Sequence, residues 1–445
     1  MNWNKCIFRF LSIEIQNVKN IGNGKLSVNG FTEKKGWSGY NCEKADVLGI
    51  YGQNGSGKTS VIDALIILKL LISGEVFYNQ ERNENYLSNF ITLNKNSIHL
   101  SATFLISDET ESNIIEYDVT IAAKNKVEFY IDKENFYVHP LNSVKSIGKI
   151  EYTVDSPTLI EPKSLHKALD KDSKDNIVTM KLCNLLNKSS CTSFIFNRQK
   201  EKIENLYNID EVFNYIKYFQ KYMISNFIVV PQDFKYREEE YSGFQIFSPQ
   251  SLSSDKTEKA SAYTKGLDTV INSIIPDLHL SLKILGQQLS KNGEIENVVE
   301  FVSNRNDLEI PLRYESEGIK KLISILDVLI LMHNNSDIFV AIDNLDTNIF
   351  EYLLCEILSM LSESGQGQLL FTSHNLYPLE ILNKDSIYFT TTNKDNRFIH
   401  FKYVKPNHNL RDQYLKTIRL GGQDEDIYIQ KKTGKIRLAF HSVGK

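Results

Sequence analysis

Gly52-Gln53-Asn54-Gly55-Ser56-Gly57-Lys58-Thr59 decides how this chain is read. The octet matches G-x-x-x-x-G-K-[ST] in full. It follows a short apolar run, Asp46 to Tyr51, that reads as a buried strand. It opens an apolar-periodic stretch from about Lys58 to Ile72 that reads as a helix stopped at Gly74. Strand, glycine turn and helix in that order make a cradle for phosphate: the glycines let backbone approach closely, and free N–H groups at the helix start face anionic oxygens. Lys58 is then placed to reach the β- and γ-phosphates of ATP, and the Thr59 hydroxyl to ligate Mg²⁺. Ser60, next in the first turn, completes the expected binding set that begins at Gly52.

Working outward, the second half of the chain has a regular rhythm from Gly318 onward. A helix to about His333 leads to the strand Ile338-Phe339-Val340-Ala341-Ile342, which ends in Asp343. A helix from about Asn348 to Ser362 follows, then a strand ending in Thr372-Ser373-His374, a short helix, and a strand near Ser386 to Thr392. Strands alternating with helices predict a mostly parallel sheet. A carboxylate at the C-terminal edge of such a sheet lies beside the phosphate cradle, where Asp343 can hold Mg²⁺. Ser316 and Gly318 read as a helix N-terminus offering a hydroxyl and free N–H groups to an anion. His374, after a buried strand, is placed to hydrogen-bond a γ-phosphate or an attacking water.

The remaining segments are less specific. Phe10 to Phe31 reads as a hairpin-like start to a sheet, and residues 97 to 138 as an antiparallel β subdomain. From about 160 to 225 the pattern is helical, with Ile203, Leu206, Ile209, Val212, Ile216 and Phe219 at threes and fours. Phe247 to Ser261, polar and serine-rich, reads as a loop. The aromatics Tyr215, Phe219 and Tyr222 read as core, and Arg198, Lys200 and Lys202 as a solvated face.

Composition sets outer bounds. With 41% hydrophobic and 24% charged residues over 445 positions, the chain is an ordinary folding sequence. A formal charge of −4 provides no global field toward nucleic acid or anionic membrane. Five cysteines without a C-x-x-C pair argue against a disulfide framework or a zinc site. The first residues lack a secretory signal, and the apolar stretches near Val61 and Leu322 are too short and too charged to span a bilayer, so a soluble cytoplasmic protein without a membrane partner is expected.

The order of these elements resembles the ABC-ATPase superfamily. Glu315-Ser316-Glu317-Gly318-Ile319-Lys320-Lys321-Leu322 looks like its signature loop, and Phe371-Thr372-Ser373-His374-Asn375 looks like its switch-histidine strand. Lys58 and Asp343 stand 285 positions apart, which resembles the OLD-like branch, where a large insertion separates the two motifs. The resemblance covers roughly residues 10 to 75 and 310 to 405. It implies an α/β ABC-ATPase head with a mostly parallel P-loop sheet, an antiparallel β subdomain and a largely helical insertion. The implied units are 1–140 (N-terminal part of the ATPase domain), 141–300 (mainly helical insertion) and 301–445 (C-terminal part). It also implies a homodimer or higher homo-oligomer in which Ser316 and Gly318 of one copy meet the nucleotide on Lys58 of the other.

The sequence departs from the family at one catalytic position. The family usually places glutamate after the Asp343 equivalent, and here stands Asn344. An amide positions water but does not accept its proton, so slow hydrolysis is expected. Asp346 is read either as a substitute base or as a residue resembling the family's D-loop. The family's Mg²⁺-sensing glutamine is not assigned; Gln80 is nearest, at a short spacing.

No spaced carboxylate set follows His374; Asp424, Glu425 and Asp426 form one patch, so the chain is not expected to be a nuclease itself. Stand-alone OLD-like ATPases of this shape resemble the ATPase component of two-gene anti-phage systems, of PARIS or abortive-infection type, which implies a separate TOPRIM-like nuclease as partner. The alternative is a DNA-maintenance ATPase resembling RecF or SMC heads that clamps DNA on binding ATP. Acidic charge and the missing coiled coil weigh against that alternative.

Overall fold

The computed structural model describes residues 1–3, 5–28, 44–74, 87–108, 110–124, 129–141, 143, 145–154, 159–163, 193, 195–196, 211–232, 243–305, 308–402, 409–431 and 433–443. Gln80, Arg198, Lys200, Lys202, Ile203, Leu206 and Ile209 lie outside them.

Near-continuous apolar runs build the central sheet. β3 (Asp46–Tyr51), β9 (Phe227–Val230), β14 (Phe339–Ile342), β15 (Gln368–Thr372) and β16 (Ile387–Thr390) run parallel, in the order β16-β3-β15-β14-β9, and β17 (Phe398–Ile399) pairs antiparallel with β16 at the edge. Strands buried on both faces have no polar side to show, so they read as unbroken hydrophobic stretches. Alternate residues still part to opposite faces: Leu48, Ile50, Ala341 and Leu370 join one core, and Val47, Tyr51, Val340, Ile342, Leu369 and Phe371 the other.

The first core is closed by α1 (Lys58–Ser73), α2 (Glu211–Ser225) and a seven-stranded antiparallel sheet. That sheet runs β2-β1-β4-β5-β6-β7-β8, from β1 (Ile7–Val18) and β2 (Ile21–Ser27) through β4 (Ser97–Ser107), β5 (Ser112–Ala123) and β6 (Phe129–Pro140) to β7 (Gly148–Thr153) and β8 (Leu159–Glu161). Tyr215, Phe219 and Tyr222 are buried in it, as the sequence predicts.

The second core is closed by α4 (Glu317–Asn334), α5 (Glu351–Ser364), α6 (Leu410–Leu420) and a small sheet under α3 (Ser254–Ile274). In that sheet β12 (Ile295–Arg305) pairs with β10 (Gln250–Leu252), β11 (His279–Leu289) and β13 (Leu308–Pro311).

Two expectations meet a different arrangement. Phe247 to Ser261 is not a loop: it forms β10 and the start of α3, with Ser253 as N-cap accepting from Lys256 N at 3.5 Å. The buried stripe of α3 is Thr257, Ala260, Thr264, Leu267 and Ile271, so its first half carries helical periodicity on small and hydroxylated residues that hydropathy does not mark. Within 141–300 the described residues form α2 and α3 together with β7 to β12, so strands share this segment with helices.

Two polar side chains lock the antiparallel sheet to the central one. Arg9 of β1, fully buried, donates to the carbonyls of Ser336, Gln366 and Lys44 and to Asp46 Oδ2, at 2.6 to 2.7 Å. Gln368 of β15 accepts from Phe10 N at 2.7 Å and donates to Phe10 O at 2.8 Å and Asp46 Oδ2 at 2.9 Å. Backbone groups left orphaned between two sheets would each carry a desolvation cost, and these side chains satisfy them.

Candidate nucleotide site

The glycine turn sits where β3 ends, between the two cores. Gly55 and Gly57 take φ of 76° and 97°, the left-handed region that other residues enter only at a cost. Gly52 is held by contact instead: a Cβ there would lie 1.7 Å from Thr390 Oγ1, which donates to Ser56 Oγ at 2.7 Å. From the other side Asn20, in the β1–β2 turn, donates to Gly55 O at 2.9 Å, and Arg397 donates to Asn20 O at 2.6 Å. Gly57, as N-cap of α1, supplies no side chain, so the first N–H groups of the helix keep their donors for another acceptor.

Lys58 is buried, and its ammonium turns back into the loop, donating to Gly52 O at 2.9 Å and Gln53 O at 3.3 Å. Burial pushes its pKa down to about 8, with Asp343 and Asp346 pulling the other way. Thr59 donates to Asp343 Oδ1 at 3.3 Å across the intervening β15.

Asp343 is 1% exposed at the end of β14. Its Oδ1 also accepts from Thr372 Oγ1 at 2.5 Å, while Oδ2 is buried with no hydrogen-bond partner among the described residues. An ionised carboxylate oxygen buried without a donor is costly unless a cation sits opposite it. With Thr59 adjacent, this oxygen fits a hard divalent cation that takes one carboxylate and draws its other ligands from phosphate and water. Among the described residues no group of three or more His, Cys, Asp or Glu could hold a metal ion by itself.

Asn344 takes a left-handed φ of 48°, a conformation asparagine tolerates better than glutamate, and its N–H donates to Thr372 Oγ1 at 2.8 Å. Asp346 Oδ2 accepts from His374 N at 3.1 Å and Asn375 N at 3.0 Å, whereas its Oδ1 is buried with no hydrogen-bond partner among the described residues. Asp346 therefore holds the His374 loop in place. The His374 side chain has its pKa lowered, first by desolvation and then by the Lys58 ammonium, with Asp346 and Asp343 opposing. Lys58, Thr59, Asp343, Asp346 and His374 thus converge on one edge of the central sheet.

Ser316 is exposed at the N-terminus of α4, where its Oγ accepts from Ile319 N at 3.4 Å. Glu315 Oε2 accepts from Ser316 N at 3.2 Å, and Glu315 Oε1 from Ser303 Oγ at 2.5 Å, so the turn is braced from β12. Gly318 packs on the loop after β14, where a Cβ would stand 2.7 Å from Asn348 O.

Sequence reasoning missed the supports: Thr372, Thr390, Asn20, Arg397 and a strap at residues 424–429, which follows α6. The strap touches the glycine turn where Ile429 N meets Gln53 Oε1 at 3.5 Å. The acidic patch at 424–426 is part of that strap: Glu425 accepts from Asn393 and Asn396, and Asp426 O from Thr392 N. The triple threonine at 390–392, ending a strand beside the glycine turn, was the one local signal available.

A family model described as an AAA ATPase domain matches residues 40–378. No curated protein matches the chain. Among solved structures it is similar to an Smc head bound to the C-winged helix domain of ScpA, with 11% identity over 89% of this chain and 98% of that one and a TM-score of 0.45. An Smc head with an extended coiled coil bound to the C-terminal domain of ScpA, derived from Pyrococcus furiosus, matches at 10% identity over 93% and 100%, TM-score 0.44. The SMC head domain from Thermotoga maritima matches at 13% identity over 88% and 99%, TM-score 0.37. Because the family model spans well over half of its length, the chain belongs to the AAA ATPase domain family.

Proposed function

We propose that the protein binds ATP with Mg²⁺ at the Gly52–Ser60 turn, closes by pairing two copies head to tail, hydrolyses slowly, and regulates a separate nuclease-like effector in anti-phage defence. The observation that carries the ATP reading is the convergence of Lys58, Thr59, Asp343, Asp346 and His374, with Asp343 Oδ2 buried and unpartnered. Thr59 and Asp343 would hold Mg²⁺, which when bound draws charge from the phosphate oxygens. Lys58 and the N-terminus of α1 bind the β- and γ-phosphates; His374, kept largely neutral at pH 7 by its depressed pKa, offers one ring nitrogen as acceptor and one as donor. Ser316 and Gly318 of the second copy close the other side of the triphosphate.

ATP-dependent dimerisation, followed by light scattering, tests the pairing; a monomer at saturating ATP and Mg²⁺ counts against it. Co-purification of a nuclease-like protein with the tagged chain supports the effector reading, whereas salt-dependent DNA binding by the chain alone would favour a DNA clamp.

Nucleotide affinity is expected to depend on pH through Lys58. Its ammonium is the form that binds triphosphate, and the free protein loses it as pH rises through about 8. Bound phosphate raises that pKa, so by linkage affinity is near full at pH 7 and falls above 8, to about one tenth at pH 9. A flat profile between pH 7 and 9 in a fluorescent-ATP titration would rule this out.

Slow turnover is expected because Asn344 cannot accept the proton of the attacking water. General bases contribute about 10²-fold or more, so kcat is expected below about 0.1 s⁻¹. Asn344→Asp keeps the size and tolerates the left-handed turn while adding an acceptor, and is expected to raise kcat about tenfold at unchanged ATP affinity. No rise in single-turnover hydrolysis would show that the missing base is not limiting.

A further inference from the structure

The segment from Ile427 to Lys445 carries Lys431, Lys432, Lys435, Arg437 and Lys445 and no acidic residue, in a chain whose formal charge is −4. Within it α7 (Thr433–Val443) is a helix of 11 residues, none of them buried. Ile436, Ala439, Phe440 and Val443, at spacings of three and four, line up as one apolar stripe, and Phe440 and Val443 are 80% and 87% exposed. Lys435 and Arg437 flank the stripe on either side. A helix this short is marginal by itself in water, because most helical stability comes from packing an amphipathic face. Among the described residues nothing covers that face of α7.

A complementary surface lies on α5. Glu351, Tyr352, Glu356, Met360 and Glu363 are exposed along its outer side, and Phe350 is exposed just before it. Tyr352 stands between Phe350, at 5.5 Å between ring centroids, and Tyr377, at 4.8 Å. α5 contains no lysine or arginine. Arg411, the cation beside it, is engaged by Glu380 at 2.8 Å. Among the described residues Glu351, Glu356 and Glu363 make no hydrogen bond or ion pair, and neither do Lys435 and Arg437.

We propose that α7 of one copy docks along the outer face of α5 of a second copy, with Phe440 and Val443 against Tyr352 and Met360, and Lys435 and Arg437 among Glu356 and Glu363. Charge selects the occupant: an apolar stripe edged only by cations meets an aromatic face edged only by carboxylates, and every one of these charges is unpaired within the protomer. The helices also match in length, about 16 Å for α7 and about 21 Å for α5 at 1.5 Å per residue. The basic segment leaves the protomer at the edge that holds the glycine turn, where Ile429 N meets Gln53 Oε1 at 3.5 Å. The loop that starts at Asp343, on the same edge, leads into Phe350. A reciprocal exchange therefore joins two copies through a pair of identical contacts. The contact needs no nucleotide and does not rest on the ATP-driven pairing proposed above. Its consequence is to hold two copies near each other, so that closure around ATP becomes an effectively intramolecular step.

Sedimentation velocity of the nucleotide-free full chain, from about 1 to about 100 µM, tests the contact. One short helix per side makes a small interface, so weak self-association is expected, with a Kd of about 10 µM. Phe440→Asp is expected to raise that Kd at least about tenfold, and because α7 buries nothing in its own protomer the thermal midpoint stays put. Lys435→Glu with Arg437→Glu, or Glu356→Lys with Glu363→Lys, is expected to weaken association by a similar factor, and the four changes together to bring it back within about threefold of wild type. A wild type that stays monomeric at about 100 µM would overturn the proposal, as would self-association indifferent to Phe440→Asp. Failure of the fourfold charge swap to restore association would show that α5 is not the seat. A monomer that binds phosphatidylglycerol vesicles through Phe440 would assign α7 to a lipid surface instead, and overturn the exchange. Pairing driven by ATP at about 1 µM, below the expected Kd of the α7 contact, reads the nucleotide dimer separately, so either reading can fail while the other stands.

Discussion

Replacing Lys58 by methionine is expected to lower kcat/KM for ATP by about a thousandfold or more, the loss found when a preorganised donor to developing phosphate charge is removed. Methionine keeps the length and most of the apolar contact of the lysine stem, so the fold has little reason to respond. Among the described residues the Lys58 ammonium bonds only loop carbonyls, Gly52 O and Gln53 O, at 2.9 and 3.3 Å. Those contacts hold it inside the turn in readiness for an anion. Burial has already depressed its pKa to about 8, which means that the free protein bears a cost to keep the charge there. Triphosphate relieves that cost and methionine forgoes it. Nucleotide titration and steady-state hydrolysis check the expectation, together with an unchanged thermal midpoint; a variant with near wild-type kcat/KM would remove Lys58 from the binding role.

Arg9→Met is expected to destabilise the protein by about 3–5 kcal/mol without touching the nucleotide site directly, since breaking a buried ion pair leaves its partner charge uncompensated. Arg9 supplies donors to three carbonyls and to Asp46 and is itself fully buried. Because Arg9 of β1 meets Asp46 of β3 here, the loss falls on the joint between the antiparallel sheet and the P-loop sheet. Adding Asp46→Asn to Arg9→Met is expected to recover part of the loss, about 1–2 kcal/mol, by removing the stranded carboxylate. Urea unfolding of the two single variants and the double variant reads the coupling. A double variant no more stable than Arg9→Met would show that the carbonyls, and not the ion pair, dominate.

The elements legible in the sequence share one property: their physics is local. β3, the glycine turn and α1 are contiguous, and the strand ending at Asp343 and the strand ending at Thr372 are apolar because both their faces are buried. α2 also announced its buried aromatic stripe, with Tyr215, Phe219 and Tyr222 at helical spacing. Where a helix buries small or hydroxylated residues, as α3 does through Thr257, Ala260 and Thr264, its pattern falls below what hydropathy detects, and a serine-rich N-terminus passes for a loop.

By itself the sequence marked a phosphate-binding motif after a short apolar strand and placed Asp343 and His374 at the ends of two further apolar strands, because a motif and a strand end are written in consecutive residues. Only the tertiary structure decided what completes the site. Parallel register sets Thr372 beside Asp343 and Thr390 beside Ser56. Which hydroxyl or ammonium meets which carboxylate is a matter of sheet order and helix rotation, set by how two cores fill on opposite faces of one sheet, and no stretch of neighbouring residues carries that information.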